Sequence, residues 1–294
     1  MTGTMHYFPP GRSVARRVHG ERSVGLLYGQ RALLIGALDP LTYTGTMLSS
    51  KAANRPFARL VRTAKAQETV FLGTKAEADR VLARVHNQHR RVAGVLAEDV
   101  GSHRAGASYS AFDPELMLWT LAVIADSGRA MYETTVRPLS AQEREGLWQD
   151  YLRFGELFGM PREVAPQTYP EFTAWFEAKL ASVDLHATPH ALALAPMVAF
   201  EQPVPRSGRL NLASLNMVIK GTLPPRVREI YGIAWGPRHE ATFRSLVALH
   251  RRGVRPFLPH SFRHGRNDAF FDIVADRERR RGGTPVPRAG AHAA

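Results

Sequence analysis

Side chains able to cap a helix recur along this chain just ahead of stretches that are apolar on one face. Thr74 with Glu77 opens a helix expected over about 74 to 93, in which Ala78, Val81, Leu82, Val85, His89 and Val92 fall within an arc of about 100°, with His86 at its edge. Asp113 with Pro114 and Glu115 opens FDPELMLWTLAVIADSGRAMYE. Ser140 with Glu143 opens a segment running through Trp148, Tyr151, Phe154 and Leu157 to a stop at Gly159 and Pro161, and Thr168 with Glu171 opens TYPEFTAWFEAKL. In each case a side-chain oxygen can take up the free amides of the first turn, and the acid three residues on can return the bond. RPFARLVRTAKAQETVF begins a further helix with Pro56 in its first turn. Period-two alternation and the paired turns of hairpins are missing, so the fold class is all-α, a single helical domain packed as a bundle. From about Pro189 to Gly236 the chain is richer in Pro and Gly and is expected to wrap the core as short helices and loops.

Composition sharpens this reading. The 294 residues are 44% hydrophobic and 22% charged, which is ordinary for a globular domain. There is no cysteine, which excludes disulfides, thiolate metal ligands, iron–sulfur clusters and cysteine nucleophiles together. The net charge is +13, but residues 1 to 22 supply +3 and residues 251 to 294 supply +6 of it. The charge therefore sits at the ends: a basic N-terminal extension over 1–22, a helical domain over 23–262, and a basic, mobile C-terminal tail over 263–294 that lacks periodicity. No RNP-like motif, zinc-finger spacing or helix-turn-helix accompanies the charge, so nucleic acid is not the expected partner. The apolar runs Val24 to Leu38 and Ala191 to Phe200 fall short of a membrane span, and no leader sequence is recognisable, so the expected location is cytoplasmic.

Two sets of residues invite chemistry. His89 lies among small and branched apolar residues, where an unpartnered imidazole costs a few kcal/mol, so it is either hydrogen-bonded in the core or bound to a metal. Arg59 and Thr63 lie four apart and share a helix face expected to point inward, with Arg62 farther round. They either form a polar pocket, or Arg59 pairs with a buried carboxylate such as Glu68 or Asp126 while Thr63 bonds back to its own helix. Other chemistries lack their motifs. No Glu-x-x-His pair supports a di-iron bundle, no HExxH supports zinc hydrolysis, no glycine-rich phosphate loop occurs, and G-x-S-x-G is missing.

Three segments resemble the bacterial proteins grouped with fungal MpaB-type oxygenases and the latex clearing proteins, or rubber oxygenases. ARLVRT (58–63) is similar to that family's R-L-x-R-T, and HRRVAG (89–94) to its H-x-x-V-x-G. The ordered series YSAFDPELMLW, MYETTVRPLSAQEREGLWQDY, FGELFGMP and LPPRVREIYGIAW follows the family's pattern. The resemblance implies a globin-like core around heme b, with His89 as the proximal iron ligand and with Arg59, Thr63 and Arg62 as cofactor-binding residues. Arg59 and Thr63 would also act in catalysis, with O₂ as co-substrate and a small hydrophobic, unsaturated molecule, isoprenoid in characterised relatives, as the target of C=C cleavage. The chain departs from the pattern at Leu121, where many relatives have His two residues after the Trp. It departs again at Arg62, where the rubber enzymes have Lys, and in MLSSKAANRP, which lacks the family's His-Ser pair. A non-catalytic heme-binding or gas-sensing protein is the alternative, and a helical protein without cofactor is the third reading.

Overall fold

The computed structural model describes residues 4–48 and 55–285. Residues 49–54 of the MLSSKAANRP segment and residues 286–294 of the expected tail lie outside the described residues. Helix dominates. The first elements are α1 (Val14–Gly20), α2 (Arg22–Gly36), α3 (Pro40–Leu48), α4 (Pro56–Leu72) and α5 (Lys75–His89). A two-stranded antiparallel hairpin of β1 (Ala93–Val95) and β2 (Ser108–Ser110) follows, a small addition to the all-α expectation. Then come α6 (Pro114–Thr135), α7 (Ala141–Leu157), α8 (Tyr169–Ala181), α9 (Pro189–Phe200), α10 (Arg209–Thr222), α11 (Pro225–Ile230), α12 (Pro237–Ala248), α13 (His260–Arg263) and α14 (Asp268–Arg280). The capping boxes at Thr74/Glu77, Ser140/Glu143 and Thr168/Glu171 all form, and Asp113 accepts from the amides of Glu115 and Leu116.

α2 is the central helix, packed along α6 and also against α1, α4, α9 and α10. Its sequence is apolar nearly all round because it is covered nearly all round. Gln30 and Arg31, which interrupt that run, are buried within it. Arg31 is offset by Asp126 of α6 at 2.7 Å, and donates to Ser127 Oγ (2.9 Å) and to the Thr222 carbonyl (3.1 Å). Arg129 bonds the other Asp126 oxygen at 2.6 Å. Asp126 is therefore occupied by Arg31 and Arg129, and Glu68 is occupied by the amide and side chain of Asn267, so neither is the partner of Arg59.

In their described parts, both ends of the chain carry helices with buried faces. Ala15, Val18 and His19 of α1 are fully buried, as are Val24 and Leu34 of α2. In α14, Phe271, Val274 and Glu278 are buried at spacings of three and four, a helical stripe that the glutamate disguises. Both ends hold α4. Glu278 accepts from the amides of Phe57 (3.3 Å) and Ala58 (2.7 Å) at its N-terminus, where Arg55 provides no side-chain cap. Arg16 of α1 donates to the carbonyls of Phe71 (3.2 Å) and Leu72 (2.8 Å) at its C-terminus. An anion at the N-terminus and a cation at the C-terminus also match the helix dipole.

Candidate functional site

The site region is built on the α4–α5 pair, joined only by Gly73 and Thr74. A Cβ at position 73 would lie 2.5 Å from the Thr69 carbonyl oxygen, so only glycine permits this reversal. Arg59 and His89 stand near the ends of the two helices remote from the turn, each about 21 Å along its helix from the connection.

On α4 the buried stripe is Phe57, Val61, Ala64, Glu68 and Phe71. Arg59 lies about 200° from Phe57 and Thr63 about 240°, so both turn away from this stripe. Arg59 is half-buried, while Arg62 and Thr63 are exposed. The inward orientation expected of Thr63 is thus not found; the stripe phase set by Phe57 and Val61 excludes it. Arg59 has no carboxylate partner among the described residues. Its acidity is altered by burial first and then by the neighbouring Arg62 cation, both of which lower its pKa, with the Tyr43 phenol opposing them.

Tyr43 of α3 is the side chain that sequence reasoning missed. Its hydroxyl lies 3.0 Å from His190 Nδ1 of α9, with the rings 5.7 Å apart. Burial pushes the phenol above its usual range, so it stays protonated despite the Arg59 cation. Tyr231, just past α11, is raised by burial as well and donates to the Leu34 carbonyl at 2.9 Å. Neither Tyr43 nor His190 carries a local signal, since their contact spans 147 positions.

α5 buries Ala78 and Leu82, but toward its C-terminus Val81, Val85, His86 and His89 are only half-buried. His89 is its last residue. The ring meets Phe112 edge-on, 5.8 Å between centroids at 74°, and its Nδ1 is buried with no hydrogen-bond partner among the described residues. His86 lies 6.2 Å from the same Phe112 ring, and its Nε2 is likewise buried and unpartnered. Burial, and secondarily His86, lower the pKa of His89 and favour the neutral imidazole. The bland reading of His89 as a core histidine satisfied by a backbone carbonyl does not describe its ring here. After the helix, Gly94 sits beneath Tyr109 of β2, whose hydroxyl would be 2.8 Å from a Cβ at that position. That contact is a physical reason for the glycine of HRRVAG.

No hydrogen bond, ion pair or ring contact among the described residues joins Arg59 or Thr63 to His89. Nor do three or more His, Asp or Glu side chains there form a metal-holding group, so a zinc or di-iron centre has no donor set among them. The buried His19 is a separate case. It bonds Tyr151 through Nε2 (2.8 Å) and stacks on Phe71 at 4.0 Å, deep in the core, while its Nδ1 is buried without a partner among the described residues.

The site thus pairs a histidine with an unpartnered ring nitrogen at one helix end with an arginine that has no carboxylate partner on the adjoining helix, among the described residues. The chain belongs to the family described as ER-bound oxygenase mpaB/B′ and rubber oxygenase, catalytic domain, which it matches over residues 16–252. ARLVRT, HRRVAG and the downstream series all lie inside that span, which begins within α1. Uncharacterised proteins of Mycobacterium bovis and Mycobacterium tuberculosis are each 26% identical over 217 residues, covering 72% of this chain and 80% of the relative. No solved structure matches.

Proposed function

We propose that the chain is a heme b-dependent oxygenase in which His89 would hold the iron and Arg59 would act on the iron's ligand. The observation that carries the reading is the setting of His89: half-buried, its pKa lowered by burial, and with a buried ring nitrogen that none of the described residues satisfies. A lone pair on such an imidazole is available at neutral pH, and ligation would offset the cost of leaving it unpaired. A heme held by His89 would supply activation of O₂ toward an alkene. Cleavage of one C=C by one O₂ gives two carbonyls and needs no further reductant.

The chain's own groups have defined tasks in this reading. Arg59 has no competing carboxylate among the described residues, so its guanidinium is free to donate to oxygen and to stabilise negative charge, and its partial desolvation strengthens that effect. Arg62 and Thr63, being exposed, offer a second cation and a hydroxyl to a ligand on the same side of α4. Tyr43, held protonated, can donate but not act as a base. The substrate class that suits the family is a small hydrophobic, unsaturated molecule of isoprenoid type.

The test is O₂ consumption by heme-reconstituted protein with a terpenoid alkene, with trapping of the carbonyl products. Arg59→Ala should lower turnover by about two orders of magnitude, the usual cost of one oxyanion donor. Heme uptake without O₂ consumption by either protein would instead favour a heme-binding or gas-sensing role.

A further inference from the structure

The span from 241 to 267 contains six arginines and neither aspartate nor glutamate. Four of the ten exposed large apolar side chains among the described residues also fall here: Leu249, Val254, Phe257 and Phe262, exposed to 60, 41, 80 and 69%. Exposed apolar residues scattered singly are ordinary; this grouping within fourteen positions is not. Three of the arginines are neutralised by carboxylates outside the span, Arg244 by Glu240, Arg255 by Glu21 and Arg266 by Asp268. Arg251, Arg252 and Arg263 have no acidic partner among the described residues.

The segment is also fastened. Arg22 of α2 donates to the carbonyls of Ser261 (3.1 Å) and His264 (3.2 Å), and the Gly265 amide donates to the Gly20 carbonyl at 2.9 Å. Glu21 receives Arg255 at 2.6 Å. Phe257 stands between Pro256 and Pro259, and the Phe262 amide bonds back to the Pro259 carbonyl at 3.0 Å. The two phenylalanine rings are therefore presented to solvent on an anchored backbone.

We propose that residues Leu249–Arg263 form a peripheral docking surface for an anionic lipid bilayer. The headgroups supply the negative charge that Arg251, Arg252 and Arg263 lack, and the acyl boundary takes the rings and aliphatic side chains. A second copy of the chain, itself at +13, would bring like charge to this face. A nucleic acid would satisfy the arginines but give Leu249 and Val254 no apolar surroundings. The inference is independent of the cofactor.

The experiment is co-sedimentation of the full chain with vesicles of phosphatidylcholine alone and of phosphatidylcholine mixed with phosphatidylglycerol. Binding should be confined to the mixed vesicles and weaken with added salt. Arg251→Glu/Arg252→Glu should weaken it at least about twenty-fold, each arginine near an anionic surface being worth about a factor of five. Phe257→Ser/Phe262→Ser should weaken it about tenfold or more, with helical circular dichroism unchanged because the altered side chains are exposed. The proposal is overturned if the mixed vesicles bind no protein, if neutral vesicles bind equally, or if neither variant changes binding. It is also overturned if light scattering shows a dimer that the phenylalanine variant splits, or if single-stranded DNA binds where vesicles do not.

Discussion

His89 and His86 sit in closely similar surroundings. The periodicity of α5 puts His89 on the apolar stripe and His86 at its edge, yet the structure sets both rings against Phe112 and leaves a buried nitrogen unpartnered on each. The R-L-x-R-T and H-x-x-V-x-G resemblance, not burial, distinguishes them. His19 also leaves its Nδ1 buried and unpartnered among the described residues, but its Nε2 bonds Tyr151. Desolvation by burial drops its pKa from 6.5 to about 3, so the folded protein keeps it neutral while the unfolded chain binds a proton below pH 6.5. Because the folded pKa is the lower one, stability is lost as pH falls through this window, levelling off near pH 3. The total is roughly 5 kcal/mol. Urea unfolding between these limits should show that slope, and His19→Gln, which keeps a polar partner for Tyr151 without titrating, should flatten it; an unchanged slope would assign the loss to other groups. Asp126 adds to the same trend. Burial opposes its ionisation, but Arg31 and Arg129 outweigh that and hold its pKa below the ordinary value, so protonating it removes stability in acid. Asp126→Asn should cost about 3–5 kcal/mol in chemical denaturation, because Arg31 would remain buried without its counter-charge.

Among the elements, α4 depends on both ends of the chain. Glu278 caps it from α14 and Arg16 caps it from α1, about 26 Å apart along its 17 residues. Each removal strands buried backbone groups, so Glu278→Ala and Arg16→Ala should each cost about 1–3 kcal/mol in thermal or urea unfolding. Their effects should add, given the separation; strong non-additivity would mean that the two ends are coupled through something other than α4. Deleting residues 264–294 should destabilise more than Glu278→Ala alone, since Phe271 and Val274 leave the core with the cap. These elements also mark the limits of sequence reading. Capping boxes are local, and Thr74/Glu77, Ser140/Glu143 and Thr168/Glu171 were legible because three residues suffice to specify each. α14 was not, because Glu278 occupies a stripe position and, besides the local Thr284 hydroxyl, is satisfied by amides more than two hundred positions away. Arg16 and Arg17 similarly mask the short buried face of α1. For α4 the helix was legible but its phase was not: Arg59 and Thr63 do share a face, but the Phe57, Val61, Ala64, Glu68 stripe is the one buried. Tyr43 and His190 needed the three-dimensional fold.

Across the whole molecule, the all-α reading and the membership of the mpaB and rubber oxygenase family agree. The basic charge that looked like two appendages is partly structural, through Arg16, Arg22 and Arg255, and partly displayed beside exposed phenylalanines. No helix among the described residues is long and apolar enough to cross a membrane. The oxygenase reading rests on whether the α5 terminus holds an iron. Purified protein supplied with heme, examined by visible absorption beside its His86→Ala and His89→Ala variants, decides this. A Soret band in the wild type and in His86→Ala that is lost or strongly shifted in His89→Ala is the predicted result; no band in heme-supplied wild type, or an unchanged band in His89→Ala, contradicts it.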